Sequence, residues 1–352
     1  MQKLASNGVA RAKRCLHQFC RITTLLGQSP SKRLRRCNFI NISLIVGLMF
    51  VFYACSGDDV TPKTSGSNTI FANSPNVKQM GGTSIASKGN VVTMGNIQAV
   101  NEGSIDLRQV AARMEIPRLK GGTQNLFITH TLSDGSVNYC VEWNYTLRAQ
   151  YWSAFRWDKS NTGGNAGYSG EFTEDPLIPS EYRSTLADHK SNGHDRGHIV
   201  ASADRQHTKE ANQQTFYLSN MHPQLNSFNA QGIWYNLEIS IRNKYNKDGF
   251  RDTLYVVKGG TISTGKYSTV KGLPVPKYFF MAVLCKKESN PSLGGYKAIG
   301  FWMEHKANTD TNYKDYAVSI DKLEEYTGLD FFCNLPDDIE EQVEKNLVLS
   351  LW

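Results

Sequence analysis

Asp195-Arg196-Gly197-His198, then Leu218-Ser219-Asn220, Pro223-Gln224, Phe228-Asn229 and Gly232-Ile233-Trp234-Tyr235-Asn236-Leu237-Glu238, with Arg242 one helical turn further on, is the stretch that decides the reading of this chain. A histidine that can take up a proton near neutral pH stands two residues after an arginine whose guanidinium can fork onto a phosphate. The glycine between them lets the backbone approach closely. From Gly232 onward the spacing predicts a helix. Ile233, Leu237 and Ile241 repeat at i, i+4 and i+8 and form a stripe to bury, while Trp234, Glu238 and Arg242 repeat about 100° round the axis, which sets Glu238 and Arg242 at the edge of the buried face.

The chemistry follows from these residue types. Hydrolysis of a phosphodiester needs a base for the attacking water, positive charge for the transition state and a group that stabilises the departing oxygen. His198 is the candidate base, and Arg196 and Arg242 can each fork onto a non-bridging phosphate oxygen. Mg²⁺ prefers oxygen ligands and keeps several waters, so one amide oxygen, that of Asn229, with Glu238 as an outer-sphere carboxylate is a chemically reasonable cation site. Mn²⁺ could take its place.

Composition sets the frame. Of 352 residues 40% are hydrophobic and 11% aromatic, enough for a substantial core, which excludes disorder throughout. The net charge of +7 disappears when it is divided: nine of the 39 Lys and Arg lie in residues 1–54, which hold no Asp or Glu, so the other 30 face all 32 acidic residues. Bulk charge therefore gives no attraction to nucleic acid, and any such attraction must be local.

Residues 1–54 read as a lipoprotein-type signal peptide. The basic cluster Lys32 to Arg36 precedes an apolar run from Phe39 to Ala54, which at 16 residues is short of the roughly 20 of a membrane-spanning helix and suits a signal-peptide core. Ala54 before Cys55 resembles a lipoprotein cleavage site, after which Cys55 would be lipidated and bound to a membrane. The long stretch before the basic cluster puts the expected true start downstream of Met1. Cys140, Cys285 and Cys333 form no zinc spacing or disulfide framework and read as small apolar fillers.

Residues 55–115 read as a lipid-anchored tether, rich in Ser, Thr, Gly, Asn and Pro up to about Lys88, followed by a mixed segment with Val91 to Met94 and a short helix near Leu107 to Met114. The main domain is expected over residues 116–352. Strands are expected at Asn125 to Thr131, Val137 to Asn144, Gln150 to Trp157, Thr253 to Lys258, Tyr278 to Lys286, Tyr296 to Glu304 and Asp315 to Ser319. Two closing helices follow, Ile320 to Thr327 ending at Gly328 and Asp337 to about Leu347. Strands bunched with helices, without strict alternation, indicate an α+β domain on a mainly antiparallel central sheet flanked by helices.

The five ordered segments quoted at the outset resemble the DNA/RNA non-specific endonuclease family, the ββα-metal nucleases, over about residues 120 to 349. The resemblance implies a ββα-metal finger and a Mg²⁺-dependent endonuclease that cuts DNA and RNA with little sequence preference. It matches the general base to His198, the neighbouring arginine to Arg196, the metal ligand to Asn229, the asparagine of the LSN segment to Asn220, and the helical glutamate and arginine to Glu238 and Arg242, so that all of these but Asn229 are expected to be catalytic residues. One departure stands out: Asn229 lies five residues before Trp234, where the family usually has four, with Asn226 as the alternative ligand. His194, His207 and His222 read as loop or solvent residues, Asp195 as an orienting group and Trp234 as a packing anchor. The expected setting is the cell envelope, at the outer membrane or cell surface and facing the periplasm or exterior. A nucleic-acid-binding lipoprotein without catalysis, or a phosphodiesterase for another substrate, are the alternatives.

Overall fold

The computed structural model describes residues 71–82, 86–230, 232–262 and 264–352. The signal segment and Cys55 lie outside the described residues. The strands are β1 (Val92–Met94), β2 (Ile97–Asn101), β3 (Asn125–Thr131), β4 (Val137–Asn144), β5 (Ala149–Trp157), β6 (Asp195–His198), β7 (Met221–Gln224), β8 (Thr253–Gly260), β9 (Tyr267–Val270), β10 (Leu273–Pro276), β11 (Tyr278–Lys286), β12 (Tyr296–Glu304) and β13 (Ala317–Val318). Nine of them form one sheet in the order β1-β2-β3-β4-β5-β8-β11-β12-β13, and β6-β7 and β9-β10 are separate antiparallel pairs. Within the large sheet only β2 and β3 run parallel, so the architecture is α+β on a mainly antiparallel sheet.

Alternation along the strands makes two cores. On β11, Phe279, Met281, Val283 and Cys285 face one layer, and Phe280, Ala282 and Leu284 face the other. A strand buried on both faces reads as a continuous apolar run, as residues 279–285 do. The first layer receives Phe228 and the stripe Ile233, Leu237 and Ile241, which positions the candidate site. The second receives Ile320, Leu323 and Val343 from the helices Ile320–Thr327 and Asp337–Lys345. Cys140, Cys285 and Cys333 are free and buried.

The tether expected up to about Lys88 is corrected from residue 74 onward, and the mixed segment after it packs on the domain. Ser74 caps the helix Pro75–Met80. Asn76 is fully buried, its Oδ1 accepting from Leu119 N at 2.8 Å and its Nδ2 donating to Ala111 O and Pro117 O at 3.1 Å each. β1 and β2 extend the sheet, and Leu107, Val110 and Ala111 complete the second core. This segment is held by a few well-placed contacts, several of them polar, which composition does not register.

A buried ion pair ties the segment to the site-bearing layer. His130 on β3 has no exposed surface; its Nε2 lies 3.1 Å from Asp175 Oδ2 and its Nδ1 3.6 Å from Glu102 Oε1. The ring stacks near Tyr139 and Tyr217, at 4.4 and 5.2 Å between centroids. Burial opposes charge on the imidazole, but Asp175 and then Glu102 overcome it and raise its pKa to about 9. Asp175 in turn accepts from Ser219 Oγ, next to Asn220. Because the folded value lies above the unfolded one, this stabilisation is complete below about pH 6.5 and is lost as pH rises through about 9. Unfolding free energy should therefore fall by on the order of 3 kcal/mol between pH 6.5 and 10. His130→Gln should be destabilised at pH 7, with Asp175 left buried without its cation, and should lose most of that slope. Urea melts across the pH range measure both, and an unchanged slope in the variant would refute the assignment.

Candidate active site

The DRGH residues form β6, paired antiparallel with β7 so that Asp195 faces Gln224, Gly197 faces His222 and His198 faces Met221. A Cβ on Gly197 would run into the Gln224 side chain, so this close pairing requires glycine. With the helix Ile233–Ser240 the pair forms a ββα finger. Asn220 sets its geometry. It is fully buried, its Oδ1 accepts from Val200 N at 2.9 Å, and its Nδ2 donates to Val200 O at 2.9 Å and Thr215 O at 2.8 Å. Ile199 N donates to Asn220 O at 2.9 Å. The expectation of a catalytic Asn220 is corrected accordingly: its amide is committed to backbone on both sides, and it positions the strand end that carries His198.

His198 packs in a triangle with two aromatic rings that touch each other at 5.2 Å, Phe216 at 5.0 Å edge-on and Phe172 at 5.6 Å. Its Nε2 is buried and takes no protein hydrogen bond. Burial, then the Lys258 ammonium and the Arg196 guanidinium, push its pKa down to about 4 against the opposing pull of Asp204. The imidazole is thus neutral at pH 7, the form that can accept a proton. Arg196 lies with its guanidinium 4.0 Å above the Phe172 ring. Neither Phe172 nor Phe216 stood out in the sequence, where nothing distinguishes them from core aromatics.

Glu238 and Arg242 meet a network that sequence spacing did not show. Lys258 Nζ on β8, 1% exposed, donates to Asp204 Oδ2 and Glu238 Oε1, each at 2.9 Å. Arg242 Nε donates to the other oxygen of Asp204 at 2.7 Å. Two acids and two bases are held together out of water, and each lone pair taken up by a neighbour offsets the cost of burying charge. Arg242 and Lys258 hold the Asp204 carboxyl below its ordinary range, whereas burial, with Asp204 adding to it, pushes Glu238 up. The partner of Glu238 is therefore Lys258, not the arginine one turn on. Arg242, bound through Nε, keeps its terminal nitrogens out of the ion pair and stays partly exposed.

Asn229 sits on a turn closed by Asn229 N to Leu225 O at 2.9 Å and Ala230 N to Asn226 O at 3.1 Å. Phe228 stacks on Trp234 at 5.8 Å, and Trp234 N donates to Phe228 O at 3.3 Å. A Cβ on Gly232 would overlap Ser227 O and Phe228 O, so the chain comes too close to this turn for any residue but glycine. His305 anchors the turn, accepting from Leu225 N at 2.7 Å through Nε2. Asp195 Oδ2 receives Nδ2 of Asn226 at 2.9 Å and of Asn229 at 3.4 Å. Engaging the amide nitrogen in this way turns each amide oxygen outward from the carboxylate. Asn229 is half-buried and Asn226 exposed. These oxygens suit a hard cation.

Trp234 is fully buried and packs as expected. His222 is a correction: it is buried in β7 beside Phe279, not in a loop. His194 is half-exposed, with Nδ1 at 3.0 Å from Asn192 O, and His207 is half-buried.

The chain has counterparts among known proteins in sequence and in fold. The family described as DNA/RNA non-specific endonuclease matches residues 123–338, more than half of the chain. A nuclease of Nostoc sp. is 32% identical over 215 residues, covering 59% of this chain and 76% of its own. Nuclease C1 of Cunninghamella echinulata var. echinulata is 32% identical over 212 residues, covering 56% and 81%. In fold, the chain resembles one in the crystal structure of the EndoG/EndoGI complex, with a TM-score of 0.50 and 23% identity over 56% of this chain and 84% of that one. With the ββα finger and these matches together, the chain belongs to the DNA/RNA non-specific endonuclease family, whose members are nucleic-acid hydrolases.

Proposed function

We propose that this protein is a sequence-non-specific endonuclease acting on DNA and RNA, with His198 as general base and a divalent cation, Mg²⁺ or Mn²⁺, held by Asn229. The observation that carries the reading is the neutral His198 imidazole, on the same strand as Asp195, whose carboxylate orients the Asn229 amide. A bound cation would supply positive charge to the transition state and acidity at the departing oxygen.

The chain's own residues do the rest. His198 takes the proton of the attacking water, and an anionic phosphate drawn to Arg196 raises the affinity of the imidazole for that proton as it is needed. Arg196, braced on Phe172, and the terminal nitrogens of Arg242, braced on Asp204, bind phosphate oxygens. Phosphate contacts carry no base information, which accounts for cleavage without sequence preference. Lys258 acts as a positioning residue: it fixes Glu238 and Asp204 and adds to burial in keeping the base unprotonated.

Three outcomes test this reading. His198→Ala should lower plasmid cleavage by about 10²–10⁴ with an unchanged melting curve, and near-normal turnover would remove it as the base. Chelation should abolish cleavage and Mg²⁺ restore it; Asn229→Ala should then need far more Mg²⁺ for half-maximal rate, whereas the same response in Asn226→Ala alone would move the ligand there. The acid limb of kcat/KM should lie below neutrality, and Lys258→Met should shift it upward while Lys258→Arg restores it. A limb that stays put in Lys258→Met would contradict the electrostatic role.

A further inference from the structure

Across the central sheet from the nuclease site, the helices Ile320–Thr327 and Asp337–Lys345 bring together Asp321, Glu324 and Glu344, with one carboxylate oxygen of each within 4.8 Å of the others. Like charges at this separation repel strongly unless something positive stands among them. Among the described residues no side-chain donor meets any of the three; Glu324 Oε1 accepts only from the backbone N of Phe331, at 2.7 Å. Asp330 and Glu340 add negative charge nearby, and the ion pair recorded in this group, Arg118 to Asp330 at 3.6 Å, is exposed and does not reach the trio.

A second observation is independent of the acidic composition. Glu344 is 6% exposed, and its Oε1 is buried with no hydrogen-bond partner although it belongs to this cluster. A buried carboxylate with an unpartnered oxygen, set beside two others, is one of the most costly arrangements a fold can retain, since burial removes water and supplies nothing in return. In keeping with that cost, burial and the facing carboxylates push Glu344 up to about 10 and Glu324 to about 8.

We propose that Asp321, Glu324 and Glu344 bind a hard divalent cation of the Ca²⁺ class that clamps the two C-terminal helices together. Ca²⁺ takes six to eight oxygens at about 2.3–2.6 Å in flexible geometry, so oxygens spread over nearly 5 Å can share one ion, with water completing the shell on the side of the exposed Asp321. The ion supplies the partner that Glu344 lacks. The site stands apart from the catalytic reading and does not depend on it.

Calcium titration calorimetry and thermal melts of the full chain, stripped with chelator, test the proposal. They should be run on the natural sequence and on Asn229→Ala, which disables the cation ligand proposed for the nuclease site. Saturable Ca²⁺ binding and a raised Tm are expected in both. Asp321→Asn, at an exposed position that should not disturb folding, should weaken the affinity roughly tenfold or more and leave cleavage at fixed Mg²⁺ unchanged, and Glu344→Gln should abolish binding. Absence of saturable binding, equal affinity in the two carboxylate variants, or loss of binding only in Asn229→Ala would each overturn it. Should Glu344→Gln raise Tm without metal while Ca²⁺ leaves the natural chain unaffected, the cluster is held by protons instead and the proposal fails.

Discussion

The ammonium of Lys258 is the interaction around which the functional half of the molecule is arranged. It rises from a central strand into a layer otherwise filled by Phe155, Trp157, Leu254 and Val256, and there it binds Asp204 from the loop after His198 and Glu238 from the finger helix. Three segments distant in sequence are thus fixed to one another by a buried charge. Truncating any partner would leave an uncompensated ion in the core, a loss of about 3–5 kcal/mol. The same ammonium acts through space on the His198 imidazole and adds to burial in holding it neutral.

Much of the fold was legible because the sheet is buried on both faces. Asn125–Thr131, Val137–Asn144, Tyr278–Lys286 and Tyr296–Glu304 have the same bounds in sequence and structure, since a long apolar run flanked by turn residues has few other readings. The pair β9-β10 escaped notice: its strands are short, and Pro274 and Pro276 are poor strand residues that an edge pair tolerates. The strand expected over Asp315 to Ser319 shrinks to Ala317–Val318, as a 3₁₀ turn takes Tyr313–Tyr316. The helix Pro75–Met80 was missed, within the stretch read as tether, for a different reason. Asn76 contributes through three hydrogen bonds to backbone groups near Leu119, Pro117 and Ala111, and no composition measure registers an asparagine of that kind.

The site divides in the same way. His198, Arg196, Asn229, Glu238 and Arg242 were visible because they stand in ordered motifs within one continuous stretch. Asp204 and Lys258 were not, since Asp204 lies 38 residues before Arg242 and Lys258 20 after Glu238, and only the folded sheet brings them to the helix. Asn220 was visible but assigned the wrong task. A motif shows that a residue type is required and is silent on whether its side chain faces substrate or backbone. Here both amide atoms are spent on Val200 and Thr215.

The stacking of Arg196 on Phe172 bears on how quickly a strand can be captured. A long basic side chain normally samples many rotamers and surrenders that freedom only when an anion arrives, at about 0.5–1.5 kcal/mol for each such chain. With the guanidinium already resting on an aromatic face, most of that entropy is lost during folding. On the proposed role of Arg196, an incoming polyanion would find the cationic plane waiting in place, and a passing encounter with any stretch of backbone would be more readily converted into a committed one.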